Sequence, residues 1–333
     1  MALQAAFLAI QPLDVSAPLS WLVVVAFLTA AVVERWDREL ARRVAVGGWV
    51  LFGLFWLVLV PHFVFEIGSI VEGLGSIAAV PMSLYAGYRL WNGRDSLFVL
   101  TRAVGLMGLI YLPFVYVPGI ESIPPRKWLV ETVAGQTAYL MSLLGFDPTL
   151  VDGMAHDGYP ITGKKYPDRS TFVFEGNTAP IRYTIITACT GIGSMSIIAG
   201  GILAVSAPLR RKAKALAIAL PIIYVLNLFR NVFIAVMFGH QKMQFFVEPI
   251  MGLIGTDDPQ YVSYFLADRM LAQFGSVFAM ILITWLVVKT LPEILVVVED
   301  LLYLLTGSEY DLQDAFGVSG EPGRSPPDEA GAD

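Results

Sequence analysis

The chain has 333 residues, 56% of them hydrophobic and 15% charged, with a mean hydropathy of +0.65. That balance excludes an ordinary soluble domain and places the chain in lipid. Its 22 Lys and Arg against 28 Asp and Glu leave a formal charge of −6, so nothing favours nucleic acid as a partner.

Along the chain, MALQAAFLAIQPLD lacks a basic segment before its apolar stretch, which argues against a cleavable signal peptide. Apolar stretches long enough to span occur at 17–33, 44–65, 69–91, 97–117, 184–206, 213–238 and 271–298, which predicts an all-α, polytopic bundle of about seven helices. Residues 2–10 are an eighth candidate, but they are too short to cross alone. The short loops after the first, third and fifth spans carry Arg35, Arg38, Arg42 and Arg43, then Arg89 and Arg94, then Arg210, Arg211, Lys212 and Lys214. Basic short loops stay cytoplasmic, so residues 118–183 and 239–270 are expected outside.

Residues 118–183 hold seven prolines and a helical stretch near 126–145. A loop of that length over a membrane site reads as a structured extracytoplasmic cap. The chain therefore divides into N-terminal spans (1–117), the cap (118–183), a second membrane core (184–298) and a cytoplasmic tail (299–333), acidic and disordered after about 307. No internal repeat is visible, which weighs against the common secondary-transporter folds.

Polar groups inside spans are costly and therefore informative. Cys189, the one cysteine, excludes any intramolecular disulfide. It lies roughly 8 Å below the outer end of the fifth span. Beyond it Gly193, Ser196, Gly200 and Ala204 give a small-residue face on which another helix can pack. In the sixth span Asn227, Arg230 and Asn231 share one helical face, with Arg230 roughly 12 Å deep and the asparagines placed to orient it. Arg269, beside Asp268, opens the seventh span. Two guanidinium groups near a thiol favour the thiolate that nucleophilic catalysis needs and can stabilise an oxyanion. The general base stays open, with His62 and Glu72 as weak candidates and His156 and His240 read as surface histidines. No His/Cys/Asp cluster has metal-ligand spacing and no Gly-rich phosphate loop is present, so neither metal nor cofactor is expected.

The segments TACTGIGS around Cys189, NLFRN around Arg230 and ADRM around Arg269 resemble the exosortase/archaeosortase family of membrane transpeptidases. Arg at the third position is similar to the archaeal branch. The resemblance is strong over residues 183–290 and rests on topology alone over the first four spans. It implies a cysteine protease and transpeptidase with Cys189, Arg230 and Arg269 as catalytic residues, and with Asn227, Asn231 and Thr190 supporting them. It further implies that exported proteins, such as an S-layer glycoprotein, are cut near a Pro-Gly-Phe-like motif that precedes a C-terminal span. The new C-terminus would be joined to an archaeal membrane lipid. Two other readings stay open from the residues: a transporter or lipid-binding protein that uses Arg230 as an anion site, and a purely hydrolytic intramembrane protease.

Overall fold

The computed structural model describes residues 12–66, 70–117, 124–152, 168–175 and 180–315; residues 2–10 and His156 lie outside them. Four helices come first: α1 (Pro12–Val33), α2 (Arg38–Pro61), α3 (Ile70–Trp91) and α4 (Leu97–Val115). The start of α2 is set by Asp37, whose carboxylate accepts from the Leu40 N–H at 2.9 Å, one of the donors a helix start leaves orphaned. Past Pro61 the chain winds on as a π-turn over His62–Glu66.

The cap follows, with helix α5 (Pro124–Leu143) and strands β1 (Thr149–Asp152), β2 (Arg169–Phe174) and β3 (Ile181–Thr184). The strands form one antiparallel sheet in the order β1-β2-β3, with Phe172 opposite Tyr183 and Thr171 opposite Thr184. This corrects the all-α expectation: the bundle is helical and its cap is part sheet. It also moves the start of the fifth expected span. The run IRYTIIT is rich in β-branched and aromatic residues, which suit a half-buried pleated surface, and its first part pairs with β2. Helix α6 begins only at Ile192 and ends at Ala204, about 20 Å at 1.5 Å per residue and so short of a full crossing. The proposed boundary between cap and core at 183/184 therefore cuts through β3.

Helix α7 (Leu209–Gly239) is the long helix of the core. After α8 (Val247–Ile254), the chain forms α9 (Gln260–Tyr264), eight residues of π-helix (Phe265–Ala272) and α10 (Gln273–Val288) as one continuous rod. The seventh span thus runs over 260–288, not 271–298. It stops before Pro292, which has no N–H to continue a helix. Residues 295–306 form a separate helix, α11 (Leu295–Thr306). Ordered chain continues past Gly307 into α12 (Leu312–Ala315), where the Leu312 N–H donates to Glu299 at 2.8 Å.

Among the described residues, five helices are long and apolar enough to cross a membrane: α1, α2, α4, α7 and the α9–α10 rod. Helix α3 lies along α2, and α6 is packed between α4 and α7. The basic loops meet at one end of the bundle, where Arg38 and Arg42 pair with Asp95 at 3.1 and 2.7 Å. There Arg94 reaches the buried Asp300 at 3.4 Å while lying 3.5 Å from the Tyr303 ring centre. One apolar core, around Phe27, Trp49, Leu90, Phe98 and Ile202, fills the bundle toward this basic end. A second, around Val133, Met141, Phe172, Phe174, Tyr183 and Ile234, joins cap to bundle at the other.

The small-residue face of α6 does pack closely. A Cβ on Gly200 would stand 2.6 Å from the Ala103 carbonyl oxygen and 2.9 Å from the Met107 amide, both backbone atoms of α4 that cannot step aside. Gly200→Val is therefore expected to destabilise the bundle by about 1–3 kcal/mol, the usual cost of overpacking. Thermal unfolding of the purified protein in detergent measures it; an unchanged midpoint would contradict the close α4–α6 contact.

Candidate active site

Cys189 sits in a 3-10 turn (Thr187–Thr190) between β3 and α6, so cap and bundle both fix its position. Thr190 staples that turn, donating to the Thr187 carbonyl at 2.7 Å and accepting from Ile192 N–H at 3.4 Å. Gly191 then reverses the chain into α6 at φ +77°, a left-handed conformation that costs other residues roughly 1–2 kcal/mol. A Cβ there would also press on Asn227, 3.1 Å from its Cγ, so only glycine lets the turn lie against α7.

Asn227 and Asn231 explain that close approach. Their side-chain amides donate to the Cys189 carbonyl oxygen at 2.7 and 2.8 Å, which uses both lone pairs of the acceptor. The expectation that they orient Arg230 is thus corrected: they clamp the backbone of the cysteine.

Arg230 is held instead by Asp268, a residue sequence reasoning passed over as a neighbour of Arg269. The Arg230 Nη2 to Asp268 Oδ1 distance is 2.6 Å, within the range of a strong charge-assisted hydrogen bond. Arg269 approaches the same carboxylate from its other side, Nε to Oδ2 at 3.6 Å, and reaches Glu72 at 3.6 Å. Asp268 is only 8% exposed. The signal that could have identified it is its charge: a carboxylate inside an apolar helix needs a cation. The segment bearing 268 and 269 is π-helical, a winding often found at functional sites. The two guanidinium groups consequently do not confront the thiol as bare cations, because one buried carboxylate is shared between them.

Tyr183, on β3, is a second residue the sequence did not disclose. It lies among Cys189, Arg230 and Asp268. Its ring stacks on Phe172 with the centroids 6.4 Å apart. Asn231 Oδ1, buried with no hydrogen-bond partner, adds an acceptor at the same place.

A groove of about 380 Å³ runs between α7 and α10, lined by Gly191, Asn227, Arg230, Phe233, Gly275, Ser276 and Ala279 among others. It begins two residues from Cys189 and follows α7 to Ile223, about 10 Å or more along the helix. His240 packs against Phe146 and Phe174 at 5.1 and 5.4 Å, and His62 opens the π-turn beside Phe63. Among the described residues, no group of three His, Cys, Asp or Glu side chains could hold a metal ion.

Comparison with known proteins adds an independent line. The family model described as transmembrane exosortase matches residues 15–256. The protein named archaeosortase A of Haloferax volcanii is 47% identical over 305 residues, covering 90% of this chain and 97% of the relative. That of Natronomonas pharaonis is 42% identical over 290 residues, covering 86% of this chain and 88% of the relative. No solved structure matches.

The shared carboxylate yields a direct test. Asp268→Asn keeps the shape but leaves Arg230 and Arg269 facing each other in an apolar bundle. Breaking a buried pair in this way typically costs about 3–5 kcal/mol. We expect a lower unfolding midpoint in detergent, partly restored when Arg269→Gln is added. A single variant as stable as the parent would mean that Asp268 does not hold the two arginines.

Proposed function

The chain belongs to the transmembrane exosortase family, and from that premise we propose that it is a cysteine transpeptidase that removes the C-terminal sorting signal of exported proteins. Family membership supports a multi-pass membrane sorting transpeptidase in general. The observation that carries the finer reading is the fixed position of Cys189, clamped through its own carbonyl by Asn227 and Asn231 and set beside the Arg230–Asp268–Arg269 triad.

In this reading a client anchored by one C-terminal helix lies in the α7–α10 groove. The small side chains of Gly275, Ser276 and Ala279 let a helix come close. Its scissile bond then meets Cys189 at the cap end of the bundle, which the positive-inside rule assigns to the outer face. The Cys189 sulfur, as thiolate, attacks the carbonyl carbon next to a Pro-Gly-Phe-like motif. The C–N bond breaks, the leaving amine takes up a proton, and the client is held as a thioester. A nucleophilic amine or hydroxyl of a membrane lipid attacks that thioester, loses its proton and returns the sulfur as thiolate. Arg230 lies in the groove wall and donates to the carbonyl oxygen as charge develops on it. Arg269 holds the shared carboxylate and faces the lipid head group. An S-layer glycoprotein is a client of the required form.

The pairing of Arg230 with Asp268 weighs against an anion carrier, which would need that guanidinium free to bind its cargo. Cys189→Ser removes the most nucleophilic atom and separates the two readings, since a carrier should tolerate it.

Arg230→Lys tests the geometric role. A guanidinium can hold Asp268 and a carbonyl oxygen with separate, fixed N–H groups, whereas an ammonium is a point charge. Loss of one oxyanion donor costs about 100- to 1000-fold in rate, and that is the expected drop in client maturation by pulse-chase at equal expression. Near-normal maturation would reduce Arg230 to an electrostatic or structural residue.

A further inference from the structure

A second chamber, of about 470 Å³, lies at the cap end of the bundle, bounded by α1, α2, α3, α4 and α6. Its walls include Phe52, Phe55, Trp56, Phe63, Met107 and Tyr111. Phe52 and Phe55 stack at 6.0 Å, and Trp56 meets Phe63 at 6.3 Å. The chamber and the α7–α10 groove both border the start of α6 without sharing a lining residue: Gly191 and Ser194 line the groove, while Gly193 and Ile197 line the chamber.

The chamber's lining bears on what it holds. Its walls offer water few of the partners a buried water needs, and they belong largely to helices long and apolar enough to cross a membrane. Its one acidic wall residue, Glu72, is ion-paired with Arg269 at 3.6 Å, so the chamber's polar end touches the catalytic triad. Trp56 adds an indole N–H that is buried without a hydrogen-bond partner.

We propose that this chamber binds a hydrocarbon chain of the acceptor lipid, with the lipid head group against Arg269 and Glu72, so that client and lipid reach Cys189 from separate cavities. The lipid's role as acceptor rests on the transpeptidase reading above; its binding in the chamber does not. Such an arrangement lets the acceptor wait beside the thioester while the client's helix still occupies the groove.

The test uses the full-length protein in nanodiscs doped with a phospholipid bearing a diazirine at the end of one chain, irradiated and mapped by peptide mass spectrometry. Adducts are expected on 52–63 and 104–112. Gly75 lines the chamber, and a Cβ there meets nothing within 4 Å, so Gly75→Leu fills space without striking backbone. It should lower these adducts by about tenfold, the change that roughly 1.4 kcal/mol of lost binding produces. Gly75→Ala should leave them in place. Gly193→Leu, whose Cβ would stand 3.9 Å from Tyr111, fills the chamber from the opposite wall and should act alike. Adducts unaffected by both leucine variants, or found only on the outer surfaces of the helices, would overturn the proposal. So would chamber adducts from a client whose span, rather than the lipid, carries the diazirine. Lipid adducts that persist in Cys189→Ala would support the chamber independently of catalysis. Failure of the transpeptidase reading would show elsewhere, as a wild-type product ending in a free carboxylate.

Discussion

A guanidinium among apolar helices must be neutralised where it stands, because neither lipid nor protein interior can solvate it. Here two of them, on different helices, share the carboxylate of Asp268. That one group ties the α9–α10 rod to α7, keeps Arg230 beside the cysteine turn, and leaves Arg269 reaching toward Glu72 on α3. Without it the two cations would repel, and the groove between α7 and α10 would have no fixed polar end. The electrostatic logic is thus more restrained than a thiol flanked by two free cations, with positive charge present but balanced.

Position is the second constraint. For Cys189 to act as the proposed nucleophile, the turn that precedes the short helix α6 has to be held in place. The fold solves this by anchoring Cys189 from three directions. The sheet delivers the chain, with the Ile185 N–H donating to the Ser170 carbonyl at 2.9 Å. The Thr190 staple and Gly191 shape the turn, and two asparagine amides on α7 hold its carbonyl. Cap and bundle therefore act on the same residue, which accounts for a second apolar core devoted to their junction.

Much of this was legible in the sequence. The long rods α2, α4 and α7 follow from runs of apolar residues, and the basic loops announced which ends would meet. Cys189, Arg230, Asn227 and Asn231 stood out because each is polar where polarity is costly. Other features depend on contacts distant in the chain. The IRYTIIT segment is hydrophobic enough to pass for the start of a span, and only its pairing with 169–174 makes its first part a strand. Asp268 looked like an interfacial companion of Arg269 because its partner lies 38 residues away. The π-winding of Phe265–Ala272 has no composition signature. The aromatic chamber draws on five helices and belongs to none of them.

The central claim is that Cys189 becomes covalently bonded to the client before any lipid is joined to it. The most direct measurement is intact-mass spectrometry of the purified full-length protein, incubated with a signal-bearing client in detergent stripped of lipid. The account predicts a species heavier by the client's processed chain, absent in Cys189→Ala and released by hydroxylamine as expected of a thioester. Client cleavage that proceeds in Cys189→Ala, or in wild type a bond to the client at a residue other than Cys189, would contradict it.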